Sequence, residues 1–595
     1  MAEDISNSEF KTTRFGADKR LSWQYVILAL MLGIVFWLPR GLRLDSFVAT
    51  DEVAWLWRSA NFYYLLGQRD FSATYLNKSP GVVTMWVGTA AFLKELPEYR
   101  GFGQGFLDKY MLLEKLLISK GVNPHDILVT SRTIMVLLNV ALVVAAFLFS
   151  IRLFGALPAL VGFLLIAFDP FHLAITRLSH LDGPLSSFLF LSVLAFLDYL
   201  IRGRNIISLL VSAAAGGLAV LSKVPGLTII PTVGLVAIAN ELSEWKAAVN
   251  ERSAQFKILL NRLIKPLVIW GGVFVISIIL FFPAMWTNPA GNLKKLVLSP
   301  LGFTMKIRDE APVEEIGASE VDTEPWISIR PLSYYLRYPK GYLWRTTPFI
   351  LLGLLSALVF YFLKFSVFSE KGSRKALIGL LIFIVVYTAF LTIPPKSSSK
   401  YYSPVYPALD LIAGLGWFAF AEWIVSRFRQ AQKWRLPVIL LAIVILAQAL
   451  SSLSTFPYFF SYFNPLLGGS RKAGEVLFVG SGEGLDQAAE YLNQKPNAKD
   501  LKVMSWYGIG PFSYYFTGET RKFSYLWNKE KASELKDMDY MVMYTNQWHR
   551  MLPWGLFPLL GDAVPEHSIW INGIEYARIY DVSELPQDVF EKAKK

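Results

Sequence analysis

The 595-residue chain contains no cysteine and only five histidines, and 17% of its residues are charged. Without cysteine there is no disulfide framework, no thiolate zinc site and no thiol nucleophile. His125, His549 and His567 have no partners at metal-ligating spacing and read as ordinary polar residues. Walker, H-E-x-x-H and G-x-S-x-G patterns are absent as well. Their absence argues against an ATP-driven pump that carries its own ATPase, a zincin and a hydrolase elbow. The nearest approach to a phosphate loop, Gly480-Ser481-Gly482-Glu483-Gly484, is G-x-G-x-G rather than G-x-G-x-x-G. A tight turn between a strand and a helix explains it without a nucleotide. The shortage of charge says most, because a soluble domain carries about 25% charged residues.

In place of charge the chain has long apolar runs. Hydrophobic residues make up 54% and aromatics 15%, and the mean hydropathy is +0.40. A membrane-crossing helix needs about 20 mainly apolar residues. Eleven runs fit, near 22–39, 129–151, 155–173, 184–201, 205–222, 226–241, 266–284, 345–364, 375–393, 405–424 and 436–454. The net charge of +12 needs no nucleic acid, because most cations sit in short loops between these runs. With the N-terminus cytoplasmic, alternate loops hold Arg152, then Arg202 and Arg204, then Lys246, Arg252, Lys257, Arg262 and Lys265. The last two in phase hold Lys364, Lys371, Arg374 and Lys375, then Arg427, Arg429, Lys433 and Arg435. The excess of cations on cytoplasmic loops of membrane proteins accounts for this alternation. An odd number of spans then leaves the C-terminus outside. The first run follows Lys11, Arg14, Lys19 and Arg20 without a small-residue cleavage site, so it reads as an uncleaved span.

These features predict a mainly α, polytopic plasma-membrane protein: a cytoplasmic tail over 1–21, a membrane domain over 22–454 and a soluble extracytoplasmic α/β domain over 455–595. Two long external loops, 40–128 and 285–343, belong to the membrane domain. In the first, Asp51–Gly67 has the pattern of an amphipathic helix rich in Trp and Tyr, suited to the membrane interface. The apolar stretch Gly81–Leu93 follows and is short for a span. In the tail, strand-like Glu475–Gly480 precedes helix-like Leu485–Asn493, with strand-like Leu501–Trp506 and Tyr540–Tyr544 beyond. Ile571-Asn572-Gly573-Ile574 predicts a type I′ hairpin.

Charges beside apolar spans are costly and mark candidate sites. Asp51 and Glu52 are adjacent, so on a helix they face different ways; one can meet a substrate while the other holds the loop. A helix start capped by Thr50 explains the pair equally simply. Lys78, in Asn77-Lys78-Ser79-Pro80-Gly81, is a point cation at the membrane surface, suited to a lipid phosphate or to snorkelling from an interfacial helix. Arg177-Leu178-Ser179-His180-Leu181-Asp182 sets His180 and Asp182 where an extended chain could offer both to a divalent ion, or where both could cap helices. Arg132, Lys223, Arg337 and Lys400 sit at outer ends of spans, where cations are scarce, and together point to an anionic ligand.

Taken in order, these pieces resemble the GT-C glycosyltransferases, in the branch with protein O-mannosyltransferases and the lipid A aminoarabinose transferase. The likeness runs over about 20–455: the acidic pair Asp51-Glu52, then Lys78-Ser79-Pro80-Gly81 in place of a Lys-Pro-Pro-Leu-like segment, then Arg132 at the start of the second span. Arg177-Leu178 through Asp182, Pro184 and Leu185 follows, then Leu221-Ser222-Lys223 with Pro225, and Tyr401, Tyr402 and Pro404 through Pro407 and Leu409. The chain departs from the pattern at Gly81, at Asn77 where an acid is common, and at Ala54 where an Arg is sometimes found. Arg58, a turn further on, is the substitute cation.

The resemblance implies a sugar donor on a polyprenyl phosphate and a hydroxyl acceptor on protein, lipid or glycan, at the extracytoplasmic face. It implies Asp51 as base beside Glu52, with Lys78, Arg132, Lys223, Lys400 and Arg58 on the donor phosphate. Arg177, His180, Asp182, Tyr401 and Tyr402 would line the donor or acceptor pocket. No cofactor is required, and a divalent metal at His180 and Asp182 is an option. Three rivals share the many spans: a ligase using a diphosphate-linked oligosaccharide, a non-enzymatic scaffold for lipid-linked glycans, and a secondary transporter. A transporter should show repeats and charges near span centres, whereas here the charges gather at one face.

Overall fold

The computed structural model describes residues 23–101, 105–245, 260–306, 331–393, 398–428, 435–524 and 526–592. The tail 1–21, most of the loop 285–343 beyond Lys306, and Lys246, Arg252, Lys257, Arg429 and Lys433 lie outside them. Among the described residues nine helices are long and apolar enough to cross a membrane: Trp23–Gly41, Pro124–Phe154, Asp182–Ile201, Val224–Leu242, Asn261–Phe281, Pro348–Ser369, Lys371–Thr392, Ser399–Arg427 and Leu436–Leu453. Ala156–Ala167 and Pro170–Thr176 form a tenth path, bent by 70°. The shorter apolar helix Ile206–Ser222 completes a set that matches the eleven runs one for one.

The bend has a local cause. Pro170 brings no N–H to the helix and starts a new one, whose N-cap is Asp169, accepting from His172 N at 2.7 Å. The freed Phe168 carbonyl accepts from Gln448 Nε2 at 2.9 Å and from Ser452 Oγ. A broken helix is tolerated in a membrane when its polar backbone is satisfied this way.

Helix Asp182–Ile201 runs through the middle of the bundle and is buried almost all round. Elsewhere glycines let backbones touch. A Cβ on Gly414 would overlap Gly162, and one on Gly416 would overlap the Gly353 carbonyl. Helices Ala156–Ala167, Pro348–Phe362 and Tyr406–Arg427 therefore pack at glycine contacts, as helices do where lipid offers no hydrophobic drive to associate. Leu30, Val385, Leu446 and other large apolar side chains remain exposed on the outer surface.

The two ends of the bundle differ in charge. At one end Arg152 meets Asp198 at 2.9 Å, Arg202 meets Glu370 at 3.3 Å, Arg204 donates to Arg262 O at 2.7 Å and Lys375 to Asn240 at 3.1 Å. These are the loops whose cations alternate in the sequence. The opposite end carries Asp51, His180, Lys223 and Lys400.

On that opposite end rests a domain with its own apolar core, containing Val503, Tyr544 and Ile579. Strands β1 (Lys502–Ser505), β2 (Glu519–Lys522), β3 (Tyr540–Tyr544), β4 (His567–Ile571) and β5 (Ile574–Asp581) form one mixed sheet in the order β2-β1-β3-β5-β4. β1 is parallel to both neighbours and β5 antiparallel to both of its own. Asn572 and Gly573 take positive φ at the β4–β5 turn, as a type I′ hairpin requires. The strand expected over Glu475–Gly480 is not there. Helix Gly469–Val476 occupies its first part, and Phe478 is 45% exposed. Gly480, at φ +97°, turns the chain away before a ladder forms.

Gly416→Leu should lower the melting temperature in detergent, through overpacking of about 1–3 kcal/mol or more. Gly416→Ala and Gly271→Ala make the matched pair: a Cβ at Gly271 meets nothing within 4 Å, so that variant should not lower the melting temperature, and equal losses would contradict the helix contact.

Candidate active site

The helix Thr50–Gln68 begins at this end of the bundle. Its N-cap is Ala49, not Thr50, and alanine has no side chain that can cap. Glu52 compensates from the third helical position by accepting from Ala49 N at 2.9 Å. Glu52 is fully buried, and its Oε1 also receives Ser179 N and Arg132 Nε, each at 2.8 Å. Arg132 reaches Oε2 as well. Burial pushes the Glu52 carboxyl up, but the Arg132 charge and these hydrogen bonds more than offset it and hold the group below its ordinary range.

Arg132 was expected on a phosphate, and its geometry says otherwise. Beyond Glu52, Nη1 donates to Leu44 O at 2.6 Å and Ser46 O at 2.9 Å, and Nη2 to Phe47 O at 2.8 Å. All five N–H groups are committed, and none is left for a ligand. Arg177 is likewise no pocket residue: it is buried and donates to Leu42 O at 2.8 Å, Arg43 O at 2.6 Å and Pro457 O at 2.9 Å. Both arginines grip the carbonyls of the segment 42–47 that leads to Asp51.

Asp51 points the other way from Glu52, with 54% of its side chain exposed. Its Oδ2 lies 3.4 Å from Lys400 Nζ and 3.6 Å from His180 Nε2. The other ring nitrogen of His180, Nδ1, meets Asp182 Oδ2 at 3.1 Å, and Asp182 Oδ1 takes Lys223 Nζ at 2.7 Å. Lys223 also stands 4.1 Å over the Tyr401 ring. Lys400, Asp51, His180, Asp182, Lys223 and Tyr401 thus form one continuous row. Withdrawal from bulk water pushes the Asp51 carboxyl up, and the charges of Lys400, His180 and Lys223 outweigh it, holding the group well below the usual carboxylate range.

The remaining candidates divide. Pro80 and Gly81 pack beside this row, and Thr84 donates to His180 O at 3.4 Å. Gly81 sits at φ +60°, and a Cβ there would overlap the Trp55 ring and lie 3.0 Å from Leu181. Proline, with φ fixed near −65°, cannot adopt this backbone, which accounts for the departure from the Lys-Pro-Pro pattern. Lys78, three residues earlier, is exposed. Arg58 lies over Trp55 at 4.6 Å and Trp57 at 5.4 Å. Tyr402 is not in the row: it is buried, bonded to Thr388 at 3.0 Å and stacked on Tyr338.

His180 and Asp182 offer a metal two ligands at most, since the other ring nitrogen of His180 turns to Asp51, and the Lys223 ammonium already holds Asp182. No cluster of three or more His, Asp or Glu suited to a metal occurs among the described residues.

The glycine-rich loop of the tail was read only as a turn. It is a contact to the site: Ser481 O accepts from Thr50 N at 3.0 Å, next to Asp51. The signal was three glycines in five residues, more than a single βα turn needs.

Residues 126–270, which carry Arg132, Arg177, His180, Asp182 and Lys223, match the model of the dolichyl-phosphate-mannose-protein mannosyltransferase family. The match covers about a quarter of the chain and marks a likeness to a glycosyltransferase family. The narrower likeness is to that mannosyltransferase family, over the matched residues. No curated protein matches in a sequence search. Among solved structures, ArnT from Cupriavidus metallidurans bound to undecaprenyl phosphate aligns at 13% identity and TM-score 0.44, over 95% of this chain and 99% of its own. The S. cerevisiae Pmt1-Pmt2 complex bound to the sugar donor gives 20% and 0.34, over 45% and 35%. The Archaeoglobus fulgidus oligosaccharyltransferase in complex with Zn and sulfate gives 12% and 0.43, over 93% and 72%. Scores this low lend no weight to any residue's role.

Glu52→Ala should cost about 3–5 kcal/mol, because it strands a buried arginine, whereas Asp51→Asn should stay within about 0.5 kcal/mol; thermal or denaturant unfolding in detergent measures both. The folded Glu52 is more acidic than the unfolded one, so its stabilisation is full above the usual glutamate range and fades as pH falls below it. Equal losses for the two variants would contradict the division of labour.

Proposed function

We propose that this chain moves a sugar from a polyprenyl-phosphate donor to an acceptor hydroxyl at the extracytoplasmic face of the cell membrane, with inversion and with Asp51 as the base. The observation that carries the reading is the half-exposed, ionised Asp51, held between Lys400 and His180 at the bundle end away from the basic loops. The basic end would face the cytoplasm, which puts the row and the C-terminal domain outside. The family match supports the donor class, since its description names a polyprenyl-phosphate sugar and a transferase reaction.

The chemistry is a single displacement. The acceptor oxygen attacks the anomeric carbon from the side opposite the phosphate. The C–O bond to phosphate breaks as the new glycosidic bond forms, and the acceptor proton passes to Asp51. The leaving group is the polyprenyl phosphate, whose growing charge is met by Lys400, with the exposed Lys78 and the half-buried Arg58 as further cations and Lys223 behind Asp182. Arg132 contributes by fixing the segment that leads to the base, not by touching the donor. An ionised aspartate well below its usual range is a modest base, and it suits a step in which departure of the phosphate runs ahead of proton transfer. The membrane supplies the route for the lipid, so no soluble nucleotide sugar is needed on this face.

Incubating the purified protein with labelled polyprenyl-phosphate sugar and an acceptor tests the reading. Asp51→Asn should reduce transfer by about 10²–10⁴-fold with normal folding, and undiminished transfer would end it. Lys400→Gln removes a cation that keeps Asp51 ionised, so the fall of kcat/KM on acidification should move to higher pH. A limb that stays in place would show that Asp51 does not set it.

A further inference from the structure

The segment before Asp51 has no regular structure of its own, and two separate bodies hold it. Its carbonyls at Leu42, Arg43, Leu44, Ser46 and Phe47 are taken by Arg132 and Arg177 of the membrane domain. Two of its N–H groups are taken by the C-terminal domain. Thr50 N donates to Ser481 O at 3.0 Å and Phe47 N to Asp486 Oδ2 at 3.3 Å. Thr50 N is one of the orphan donors of the first turn of the Asp51 helix, which no intrahelical carbonyl reaches. A domain more than 400 residues away in the chain supplies its acceptor.

The fit at this contact is close. Gly482 lies at φ +121°, and a Cβ on it would overlap the Val48 carbonyl oxygen. Its N–H donates to Tyr544 OH at 2.9 Å, and Tyr544 in turn donates to Glu483 at 3.1 Å, so the loop is anchored to the end of β3. A second touch lies on the other side of Asp51, where a Cβ on Gly510 would overlap the Val53 side chain. Tyr515 OH donates to Asp45 O at 2.9 Å. Asp51 is therefore bracketed by contacts to Val48, Thr50 and Val53.

We infer that the C-terminal domain is a positioning element for the base, with Gly482 as its principal positioning residue, acting through Val48 and Thr50. This inference rests on the assignment of Asp51 as base. The domain need touch neither donor nor acceptor to matter. By fixing the first turn of the helix it sets where the Asp51 carboxylate stands relative to the reacting hydroxyl, and a displacement of about 1 Å at such a point can cost about 10²-fold in rate.

Gly482→Ala in the full-length protein tests this directly. The expected result is a fall in kcat of at least about 10-fold, with the KM for the polyprenyl-phosphate donor within about 2-fold, and faster hydrogen exchange at the amides of 47–53. Gly573→Ala is the control: it places a side chain at another positive φ, +75°, with nothing within 4 Å, and it should leave kcat and the exchange at 47–53 unchanged. Tyr515→Phe, which removes only a hydroxyl, should give the same pattern in milder form, and it decides the matter if Gly482→Ala does not fold. Faster exchange at 47–53 with unchanged kcat would overturn the inference, as would equal losses in Gly482→Ala and Gly573→Ala. Full activity in Asp51→Asn would instead overturn the assignment of the base, whatever the glycine variants do.

Discussion

The buried pair of Glu52 and Arg132 is the constraint on which the rest of the site depends. A carboxylate and a guanidinium taken out of water must satisfy every oxygen and every N–H, or the burial costs several kcal/mol. They do so by collecting the backbone around them: Ala49 and Ser179 on the acid, Leu44, Ser46 and Phe47 on the base. One ion pair thus ties the loop after the first span, the second span and the loop after the bent helix into one unit. Asp51 and His180, each next in the chain to a residue in that unit, are brought face to face as a consequence.

This arrangement separates two roles within a dipeptide. Consecutive residues on a helix point about 100° apart, so Glu52 can be sealed inside while Asp51 looks out on solvent and lipid. Charge is divided in the same way along the row. Asp182 neutralises Lys223 at the buried side, and Lys400 meets the more exposed Asp51 through a weaker and longer contact. A cation held at 3.4 Å from one carboxylate can still accept a second anion, whereas Arg132, with five bonds made, cannot.

The membrane bundle was legible in the sequence because lipid imposes one simple rule: each crossing needs a continuous apolar run. The bent path stands in the sequence as one apolar run, 155–173, and its break at Asp169-Pro170 is a finding of the structure. The acidic pair and the hairpin at Asn572-Gly573 were as readable as the bundle, since each depends on residues close in sequence. The members of the row, spread from Asp51 to Tyr401, stood out one by one, as charges beside spans and through the resemblance. The roles of Arg132 and Arg177 were not. An arginine at the end of a span looks the same whether it waits for a phosphate or grips backbone carbonyls, and only the fold places carbonyls within its reach. Glu475–Gly480 misled for a related reason: an apolar run of four can be buried by a neighbouring loop as well as by a sheet. The loop Gly480–Gly484 was visible as a turn, but its partner lies more than 400 residues earlier, and no local pattern records that.

That separation has a consequence for the order of events as the protein is made. The residue proposed as the base belongs to the first tenth of the chain, and the carbonyl that receives the amide of its predecessor is Ser481. During synthesis the early helices can insert and pair long before that carbonyl exists. The segment before Asp51 is fully held only when the C-terminal domain has emerged and folded onto it, so a truncated or half-inserted chain would embed in the bilayer with its carboxylate loosely mounted.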